Sequence, residues 1–515
     1  MKPNHDRRRQ RNRTGKTPAP VAAPLPPTEL IPVPGAIWWL IAAFLLPNLG
    51  TLSGSFLYDD LPIIVQNTRL HSLEHLVETW THGYWPDRPG LTLYRPVAQT
   101  FWTLLWTSSA GMPLVFHAFN LLLGAIVVRL VYRLLLELRV GYRTSFLAAL
   151  LFAVLPIHTE VTAAIVGSNE MLAAVFGLGA LLLYLRGSLW RALVLYLLAV
   201  FSKESAAAFA GLAVLLPFLM SEGRPGFRQL ALTVVTAGAV VILALYTRSA
   251  VAMGPDFIPP IDNPISLVGP PARIVTALWT QVLYIVRTTV PITLSADYSY
   301  KEIPLVMGLR DPRAWLGLLT AIAIPILYWR SAASRMGILF WVVLFLPAAN
   351  LLMPIGTTMG ERLAFLPSIG LCLLGVQFMC RLPRMEIVVV AIALVFAVRT
   401  YVRDRDWHDA DAFYPKLAET SPGSAKAHYF LGCYLSARNE PVKALAAYDR
   451  AVAIFPPYPE AFNNRGCTLV ELGRIPDAMD SYERCLRFDP GHHGAASSLQ
   501  ALKAGHIFVP QKPKI

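Results

Sequence analysis

The sequence has 515 residues, of which 55% are hydrophobic and only 15% are charged, with a formal net charge of +13. A soluble globular chain carries about a quarter charged residues, so this composition argues against an ordinary soluble protein. Nucleic-acid binding is not predicted either, because the Lys and Arg residues mostly flank apolar segments. Apolar runs of about 18 or more residues recur along the chain. Such runs predict membrane-crossing helices, whose backbone hydrogen bonds are satisfied internally.

The chain begins with a basic and then a Pro-rich stretch. Arg residues at positions 7–9, 11 and 13 predict a cytoplasmic anchor before the first membrane-crossing helix. The Pro-rich stretch over 17–35 predicts a disordered tether. A cleaved signal peptide is not expected, because no small-residue cleavage site precedes a charged mature chain. Residues 1–35 are therefore assigned to a disordered cytoplasmic tail.

Residues 36–402 hold the apolar segments, and the charges between them predict the orientation. The segments lie near 36–57, 97–118, 113–136, 144–157, 168–186, 191–202, 206–221, 229–248, 273–292, 313–329, 335–353, 361–380 and 385–401. With the N-terminus in the cytoplasm, the Arg clusters fall on the cytoplasmic side, as the positive-inside rule requires. This holds if segment 273–292 is re-entrant or packed at the outer surface. The prediction is an all-α membrane domain with about eleven crossings and an outer tail after Arg399.

The C-terminal part repeats itself with a period of 34 residues. The matched pairs are Gly432 and Gly466, Ala444 and Ala478, Tyr448 and Tyr482, and Pro456 and Pro490. This is the tetratricopeptide period, with small residues where paired helices touch and an aromatic residue on the second helix. We predict an α-helical solenoid of about two and a half repeats with a capping helix over 403–505, followed by a tail at 506–515. Its concave surface, including Tyr429 and Asn463, is expected to bind an acceptor protein or peptide. A rigid spacer or a dimerisation element is the alternative.

Charged and polar groups beside membrane-crossing helices are costly and usually mark function. Five such groups are predicted on the outer side: Tyr58-Asp59-Asp60; Tyr94-Arg95-Pro96; His158 and Glu160, followed by Gly167 to Glu170; Lys203 and Glu204; and Glu361 and Arg362. The carboxylates of Asp59 and Asp60 are suited to a divalent cation, or to taking a proton from an acceptor hydroxyl. An Arg at the outer interface is suited to a phosphate oxygen. The structural alternatives are a solvated acidic turn, an Arg that reaches into the interface and a buried Lys–Glu pair.

Acidic groups for a hydroxyl acceptor beside cations for a phosphate suggest transfer of a group from a lipid phosphate. A proton-coupled transporter would also bury charges, but near the bilayer midplane and with internal symmetry between its halves. The sequence has no such symmetry. His117 and Asn120 lie one helical turn apart and are interpreted as contacts between helices. The five cysteines are interpreted as small buried residues, with a disulfide as the alternative.

These residues, in this order, resemble the transmembrane and tetratricopeptide repeat-containing family of O-mannosyltransferases, including its bacterial relatives. The matching stretches are 58–60, 94–96, His117 with Asn120, 151–161, 167–170, 201–204, 294–298 and 361–370, and then the repeats. The resemblance covers the chain from about residue 36 to about residue 500. Two features depart from the family pattern: Gly124 stands where a His is expected, one turn after Asn120, and the repeat array is short.

The resemblance implies a GT-C-type membrane glycosyltransferase with a polyprenyl-phosphate sugar, typically mannose, as its donor. The acceptor would be a protein Ser or Thr on the periplasmic side of a bacterial inner membrane, or on the lumenal side of an ER membrane. A lipid or polysaccharide acceptor and a non-catalytic scaffold are the alternatives. Asp59 is expected to be the general base, with Asp60 assisting, and Arg95, Lys203 and Arg362 to stabilise the departing phosphate. The further expected substrate contacts are His158, Glu160, Glu204 and Glu361. A divalent cation, if one is used, would be held by the two Asp residues.

Overall fold

The protein is helical throughout the part that the structure describes. The computed structural model describes residues 31–86, 93–220, 226–251 and 257–506, and no β-strand occurs in these ranges. Most of the predicted N-terminal tail, up to residue 30, lies outside the described residues. Almost all of the predicted terminal segment, from residue 507 onward, lies outside them as well.

The membrane part is built from helices of very different lengths. They are α1 (Ala36–Asn48), α2 (Glu78–Thr81), α3 (Pro96–Ser109), α4 (Pro113–Glu137), α5 (Tyr142–Val154), α6 (Thr159–Ala163), α7 (Ser168–Leu185), α8 (Leu189–Ser202), α9 (Ala208–Leu215), α10 (Phe227–Val251), α11 (Pro270–Thr289), α12 (Pro312–Tyr328), α13 (Ala332–Phe345), α14 (Ser368–Met379) and α15 (Met385–Asp404). Proline begins α3, α4, α11 and α12, where a missing backbone N–H costs nothing. Short 3-10 turns such as Pro156–His158 and Glu361–Ala364 connect several helices.

Among the described residues, five helical segments are long and apolar enough to cross a membrane. They are Ala36–Ser53, Pro113–Glu137, Ile165–Leu185, Phe227–Val251 and Met385–Trp407. A sixth span results if Tyr142–Val154 and Pro156–Ala163, which meet at a bend of 51°, cross together. The chain is therefore a multi-pass membrane protein. Shorter apolar helices lie between these segments, so the number of about eleven crossings stays a prediction.

Helix α11 covers the segment that was not expected to cross as a simple span. It is one continuous helix of 20 residues, and it is not among the segments apolar enough to cross. Its buried face carries the polar residues Thr276, Thr280, Gln281 and Thr288. A continuous helix argues against the re-entrant alternative, and packing at the outer surface stays a prediction.

Helices α1 and α4 pack so closely that they explain one departure from the family pattern. Gly124 of α4 lies against the ring of Phe44 in α1, and a Cβ atom at position 124 would overlap that ring. Both residues are buried. The His that the family pattern predicts at position 124 would therefore force α1 and α4 apart, because a packed core has no spare volume for it.

Six helices follow the membrane part. They are α16 (Ala410–Thr420), α17 (Ala425–Ala437), α18 (Pro441–Ile454), α19 (Pro459–Glu471), α20 (Ile475–Phe488) and α21 (His493–Lys503). The starts of α17, α19 and α21 are 34 residues apart, and so are the starts of α18 and α20. The spacing of the helices thus equals the period found in the sequence. The assignment of residues 403–505 to a tetratricopeptide solenoid stays a prediction.

The glycine and tyrosine residues found by the 34-residue comparison are in direct contact. A Cβ atom on Gly432 of α17 would lie 2.7 Å from Cδ1 of Tyr448 in α18, and Gly466 has the same relation to Tyr482. Both tyrosines are fully buried, so neither ring can move aside freely. The glycines therefore allow each helix pair to approach closely.

We expect Gly432→Ala to destabilise the protein by about 1–3 kcal/mol through overpacking. The sign of this change in stability is informative, because Ala in an uncrowded helix would stabilise the protein by about 1 kcal/mol relative to Gly. The thermal unfolding midpoint in detergent measures the effect. Gly491→Ala is the matched control, because its Cβ atom would meet no heavy atom closer than 3.4 Å. Equal midpoints for the two variants would contradict the close contact.

Candidate functional site

One cavity in the membrane part gathers most of the charged residues predicted from the sequence. Its volume is about 110 Å³, and it is open to the surroundings. Its walls come from the turn after α1, the residues before α3, the connection from α6 to α7, the end of α8 and the turn before α14. The predicted residues that line it are Asp59, Arg95, Glu160, Lys203 and Arg362. The fold therefore brings together side chains from five separate segments.

The turn after α1 presents Asp59 to the cavity. Tyr58 has a left-handed backbone conformation with φ 52°, which non-glycine residues adopt rarely and usually near functional sites. The Asp59 side chain lines the cavity. Its carboxylate makes no hydrogen bond or ion pair with any of the described residues. Its oxygens therefore have no hydrogen-bond donor among the described residues and can accept a proton from a bound hydroxyl.

Asp60 is buried and is not among the residues that line the cavity. Its Oδ1 accepts the N–H of Val166 at 2.8 Å, and its Oδ2 accepts the N–H groups of Leu57 at 3.1 Å and Ile165 at 3.3 Å. Burial raises the pKa of Asp60 to about 7, although the three N–H donors act in the opposite direction. Both oxygens accept backbone N–H groups, and the side chain is buried. In the described ranges no group of three or more His, Cys, Asp or Glu side chains could hold a metal ion.

The segment that binds Asp60 is itself held tightly between α6 and α7. Asn120 of α4 donates from Nδ2 to the carbonyl oxygen of Ala164 at 2.9 Å. Gly167 lies so close to Val161 that a Cβ atom would overlap the carbonyl oxygen of Val161. Asn120 therefore contacts the connection between α6 and α7, and this connection binds the Asp60 carboxylate next to Asp59.

Two ion pairs join the start of α3, the start of α7 and the end of α8. Arg95 donates from Nε at 3.0 Å and from Nη2 at 2.6 Å to the two carboxylate oxygens of Glu204. Its guanidinium group also lies 4.8 Å from the ring centre of Tyr84. Lys203 forms an ion pair with Glu170, and both side chains are more than nine-tenths buried. These pairs hold two cations in fixed positions at the cavity wall.

Arg362 is the most exposed of the three cations. Its backbone N–H donates to Glu160 Oε2 at 2.9 Å, and its guanidinium group forms an ion pair with the same carboxylate. The side chain of Glu160 is 4% exposed, whereas that of Arg362 is 36% exposed. Burial lowers the pKa of Arg362, but the carboxylates of Glu160 and Asp59 outweigh this effect and raise it. Arg362 therefore stays charged, and it lines the cavity.

Sequence reasoning missed several aromatic residues of the cavity. Tyr84, Trp85 and Trp407 line it. Asn169, which the sequence placed in a predicted polar cluster, donates to the Tyr84 hydroxyl at 2.7 Å, and burial raises the pKa of Tyr84 to about 12. The aromatic composition of the loop before α3 is a weak signal for the first two residues. Nothing in the sequence pointed to Trp407, which comes from the end of the last membrane segment.

His158 is not among the residues that line the cavity. Its Nε2 lies 2.9 Å from the Ser368 hydroxyl. Its ring packs between Phe152 and Phe365, with both centroid distances 4.7 Å. The side chain is buried at the junction of α5 and α14, so it packs the core and is not placed to orient a sugar.

Glu361 is the third residue that lies away from the cavity. Its Oε1 accepts the N–H of Ser295 at 2.5 Å and the hydroxyl of Tyr298 at 2.7 Å, and its Oε2 lies 3.5 Å from Nη2 of Arg403. The carboxyl group is fully buried. It connects the loop before α12 to the end of α15 and is not a substrate contact.

We expect Glu361 to make the stability of the protein depend on pH. Burial raises its pKa to about 7, with Arg403 opposing the shift and Glu160 supporting it. Because the pKa of Glu in an unfolded chain is about 4.3, the folded state binds more protons between these values. The contribution of Glu361 to the stability of the folded state is therefore greatest below about pH 4 and is lost as the pH rises through 7. The unfolding midpoint should fall more between pH 5 and pH 8 in the wild type than in Glu361→Gln. Parallel pH profiles would contradict this assignment.

Comparison with known proteins points to one family. The family model described as Protein O-mannosyl-transferase TMTC, DUF1736, matches residues 253–325. Protein O-mannosyl-transferase F38B6.6 of Caenorhabditis elegans is 27% identical over 443 residues, which are 81% of this chain and 62% of that protein. The human proteins named Protein O-mannosyl-transferase TMTC3 and TMTC4 are 25% and 26% identical, over 83% and 77% of this chain. The chain is TMTC-like. The resemblance predicted from its motifs is thus confirmed.

The TMTC-like chain spans only part of the length of these curated relatives. It covers 62% of the worm protein, 52% of human TMTC3 and 63% of human TMTC4. The segment matched by the family model, 253–325, contains α11 and the loop that follows it. This loop carries Ser295 and Tyr298, the partners of Glu361.

The C-terminal helices of the TMTC-like chain border the cavity. The ring of Tyr58 lies 5.0 Å from that of Phe430 in α17 and 5.7 Å from that of Phe413 in α16. Trp407 lies 4.8 Å from the same Phe413 ring. The wall beside Asp59 is therefore backed by the helices that follow the membrane part.

The residues predicted for a partner surface make contacts within these helices. Tyr429 is partly buried, with its ring 5.0 Å from that of Tyr458, and its hydroxyl accepts from Asn464 Nδ2 at 3.2 Å. Asn463 donates from Nδ2 to Oδ1 of Asn464 at 3.1 Å. Binding of a partner at this surface of the TMTC-like chain stays a prediction.

Proposed function

We propose that the chain is a GT-C-type membrane glycosyltransferase that transfers mannose from a polyprenyl phosphate to a hydroxyl group of a protein Ser or Thr. The supporting observation is the cavity, in which Asp59 lies among three cations that are held in place by carboxylates. Among the described residues the Asp59 carboxylate has no hydrogen bond or ion pair. The relatives are named protein O-mannosyl-transferases, and these names support mannose as the sugar and a protein as the acceptor.

In the proposed reaction, Asp59 takes the proton of the acceptor hydroxyl as its oxygen bonds to the anomeric carbon. The bond between that carbon and the phosphate oxygen breaks on the opposite side. Polyprenyl phosphate leaves with the electron pair, so the configuration at the sugar is inverted. A positioned general base typically contributes 10²- to 10⁴-fold to the rate.

The cations of the cavity divide into two groups in this mechanism. Arg362 is the most exposed, and we assign it to the phosphate oxygens of the donor, where a second negative charge develops as the bond breaks. Arg95 and Lys203 have their nearest donors occupied by Glu204 and Glu170. Arg95 and Lys203 therefore contribute a fixed positive potential at the cavity wall. Glu204 and Glu170 hold these two cations in position.

We place the cavity on the periplasmic or lumenal side of the membrane, together with the C-terminal helices. Glu170 and Lys203 lie at one end of the pair formed by α7 and α8, and the turn with Arg186 and Arg191 lies at the other end. Positive charge is enriched on the cytoplasmic side of membrane proteins, so the cavity end belongs on the opposite side.

The test is a transfer assay with the purified full chain, polyprenyl-phosphate mannose and a Ser/Thr peptide. Parallel reactions contain polyprenyl-phosphate glucose, or a lipid or polysaccharide acceptor. We expect mannosylated peptide, a loss of at least about 100-fold in Arg362→Met, and unchanged activity in Arg438→Met. Arg438 is the matched control, because it forms a surface pair with Asp411 in the C-terminal helices.

Each arm of the assay decides a separate part of the proposal. Transfer to the lipid or polysaccharide alone would overturn the protein acceptor. A lack of transfer with every donor and acceptor would contradict the enzyme and favour a non-catalytic scaffold.

A further inference from the structure

We propose that the first two helices after the membrane part, α16 and α17, are a working part of the active site, because they hold Asp59 in position through Tyr58. This inference rests on the proposed function, since it gives Tyr58 a positioning role for the general base. It assigns these helices a role besides the binding of an acceptor protein.

The first observation is the contact between Tyr58 and the two helices. The Tyr58 ring meets the ring of Phe430 edge to face at an interplanar angle of 71°, and it meets the ring of Phe413 at 47°. Phe413 is buried, and Tyr414 stacks at 28° on Tyr434 behind it. The Tyr58 side chain is therefore packed against a rigid aromatic group, which favours a single ring position.

The second observation is the backbone of the turn. Tyr58 has a φ of 52°, and this conformation persists only where the surroundings enforce it. On both sides of Tyr58 the turn is closed, because the Asp60 carboxylate accepts the N–H of Leu57 and the amides of the segment before α7. The carbonyl oxygen of Tyr58 also accepts the N–H of Leu61 at 3.2 Å, and the ring of Tyr58 adds a side-chain constraint. If it were released, Tyr58 could relax to a negative φ, and the direction of Asp59 would change.

The third observation is that α16 and α17 are fixed to the membrane part at their junction. The N–H of Lys301 donates to the carbonyl oxygen of Gly423 at 2.8 Å, and the N–H of Ala425 donates to the carbonyl oxygen of Tyr300 at 2.7 Å. Buried side chains add hydrogen bonds among Ser295, Asp297, Ser299, Ser421 and Ser424. The loop in this contact belongs to the segment that the family model matches. It gives Phe413 and Phe430 a fixed place beside the cavity.

The test compares Phe430→Ala with Phe462→Ala in the full chain. Phe462 is a buried phenylalanine of α19 that packs against Phe488, in a separate cluster away from the cavity. We expect Phe430→Ala to lower kcat for transfer at least tenfold with the donor KM within twofold of the wild type. Phe462→Ala should leave both values within twofold. Tyr58→Phe should retain the activity that Tyr58→Ala loses, because the aromatic packing is what matters.

A second measurement does not need activity. Asp59→Cys is combined with Cys380→Ser and Cys467→Ser, which remove the thiols that are not fully buried. The rate at which a water-soluble maleimide modifies the introduced thiol is then measured, with the same chain lacking Asp59→Cys as the blank. Adding Phe430→Ala should change this rate at least fivefold, and adding Phe462→Ala should not.

The outcomes separate this inference from the proposed function. Equal effects of the two Phe substitutions in both measurements would mean that the helices act only through general stability, and this would overturn the inference while transfer itself stands. If the wild type transfers no sugar, the proposed function fails. The labelling rates then still decide the inference, and an unchanged rate in Phe430→Ala overturns it.

Discussion

Asp59→Asn is expected to lower kcat for sugar transfer by about 10²- to 10⁴-fold, the range that loss of a general base produces. The amide keeps the size of the side chain but cannot take the proton of the acceptor hydroxyl. Because the Asp59 carboxylate has no hydrogen bond or ion pair among the described residues, its replacement leaves no group without a partner. We therefore expect an unchanged unfolding midpoint and a donor KM within about twofold of the wild type, since the loss falls in the transition state.

Asp480→Asn is the control for this substitution. Asp480 is an exposed residue of α20 that pairs with Arg484 far along the C-terminal helices, and its loss should leave kcat unchanged. Activity above a tenth of the wild-type value in Asp59→Asn would contradict the role of general base. A large fall in the unfolding midpoint would instead indicate that Asp59 has a structural role.

Lys203→Met is expected to destabilise the protein by about 3–5 kcal/mol, because it leaves Glu170 as a buried charge without its partner. The side chains of Lys203 and Glu170 are 5% and 6% exposed, so water cannot compensate. The double variant Lys203→Met/Glu170→Met should recover most of this loss, since an apolar pair of similar volume often replaces a buried ion pair without cost. Its transfer activity should stay at least tenfold low, because the fixed cation of the cavity wall is gone.

Chemical denaturation in detergent measures the stability of the single and double variants, and the transfer assay measures their activity. The exposed pair of Arg484 and Asp480 is the control, for which Arg484→Met should cost less than about 1 kcal/mol. A stable Lys203→Met protein would show that the pair is not buried in solution. Full activity in the double variant would remove Lys203 from the mechanism.

Much of the helical framework could be predicted because membrane-crossing helices are read from composition alone. The apolar segment near 313–329 corresponds to α12, for example. The apolar segment near 97–118 does not form one helix, because α3 ends at Ser109 and α4 begins at Pro113. Ala110 and Gly111 both have positive φ values there. The residues at this break are small or apolar, so the hydropathy of the sequence does not indicate where α3 ends.

The site could be predicted in part because charged residues between apolar helices stand out in any sequence. Asp59, Arg95 and Arg362 were found in this way. The resemblance favoured Asp59 over Asp60, but the backbone hydrogen bonds that hold Asp60 could not be predicted, because two of their three donors lie about a hundred residues along the chain. The same holds for His158, whose surroundings come from aromatic residues on two distant segments.

The packing of Tyr58 against Phe413 and Phe430 also bears on how the protein is made. The turn with Asp59 is synthesised early, directly after the first helix, whereas both phenylalanines come after the last membrane segment. A nascent chain therefore contains every charged residue of the cavity before it contains the support for the base. With the orientation proposed above, that support arrives only when the C-terminal helices have crossed the membrane. If the proposed function is correct, export of the C-terminal helices would be required before the chain can transfer sugar.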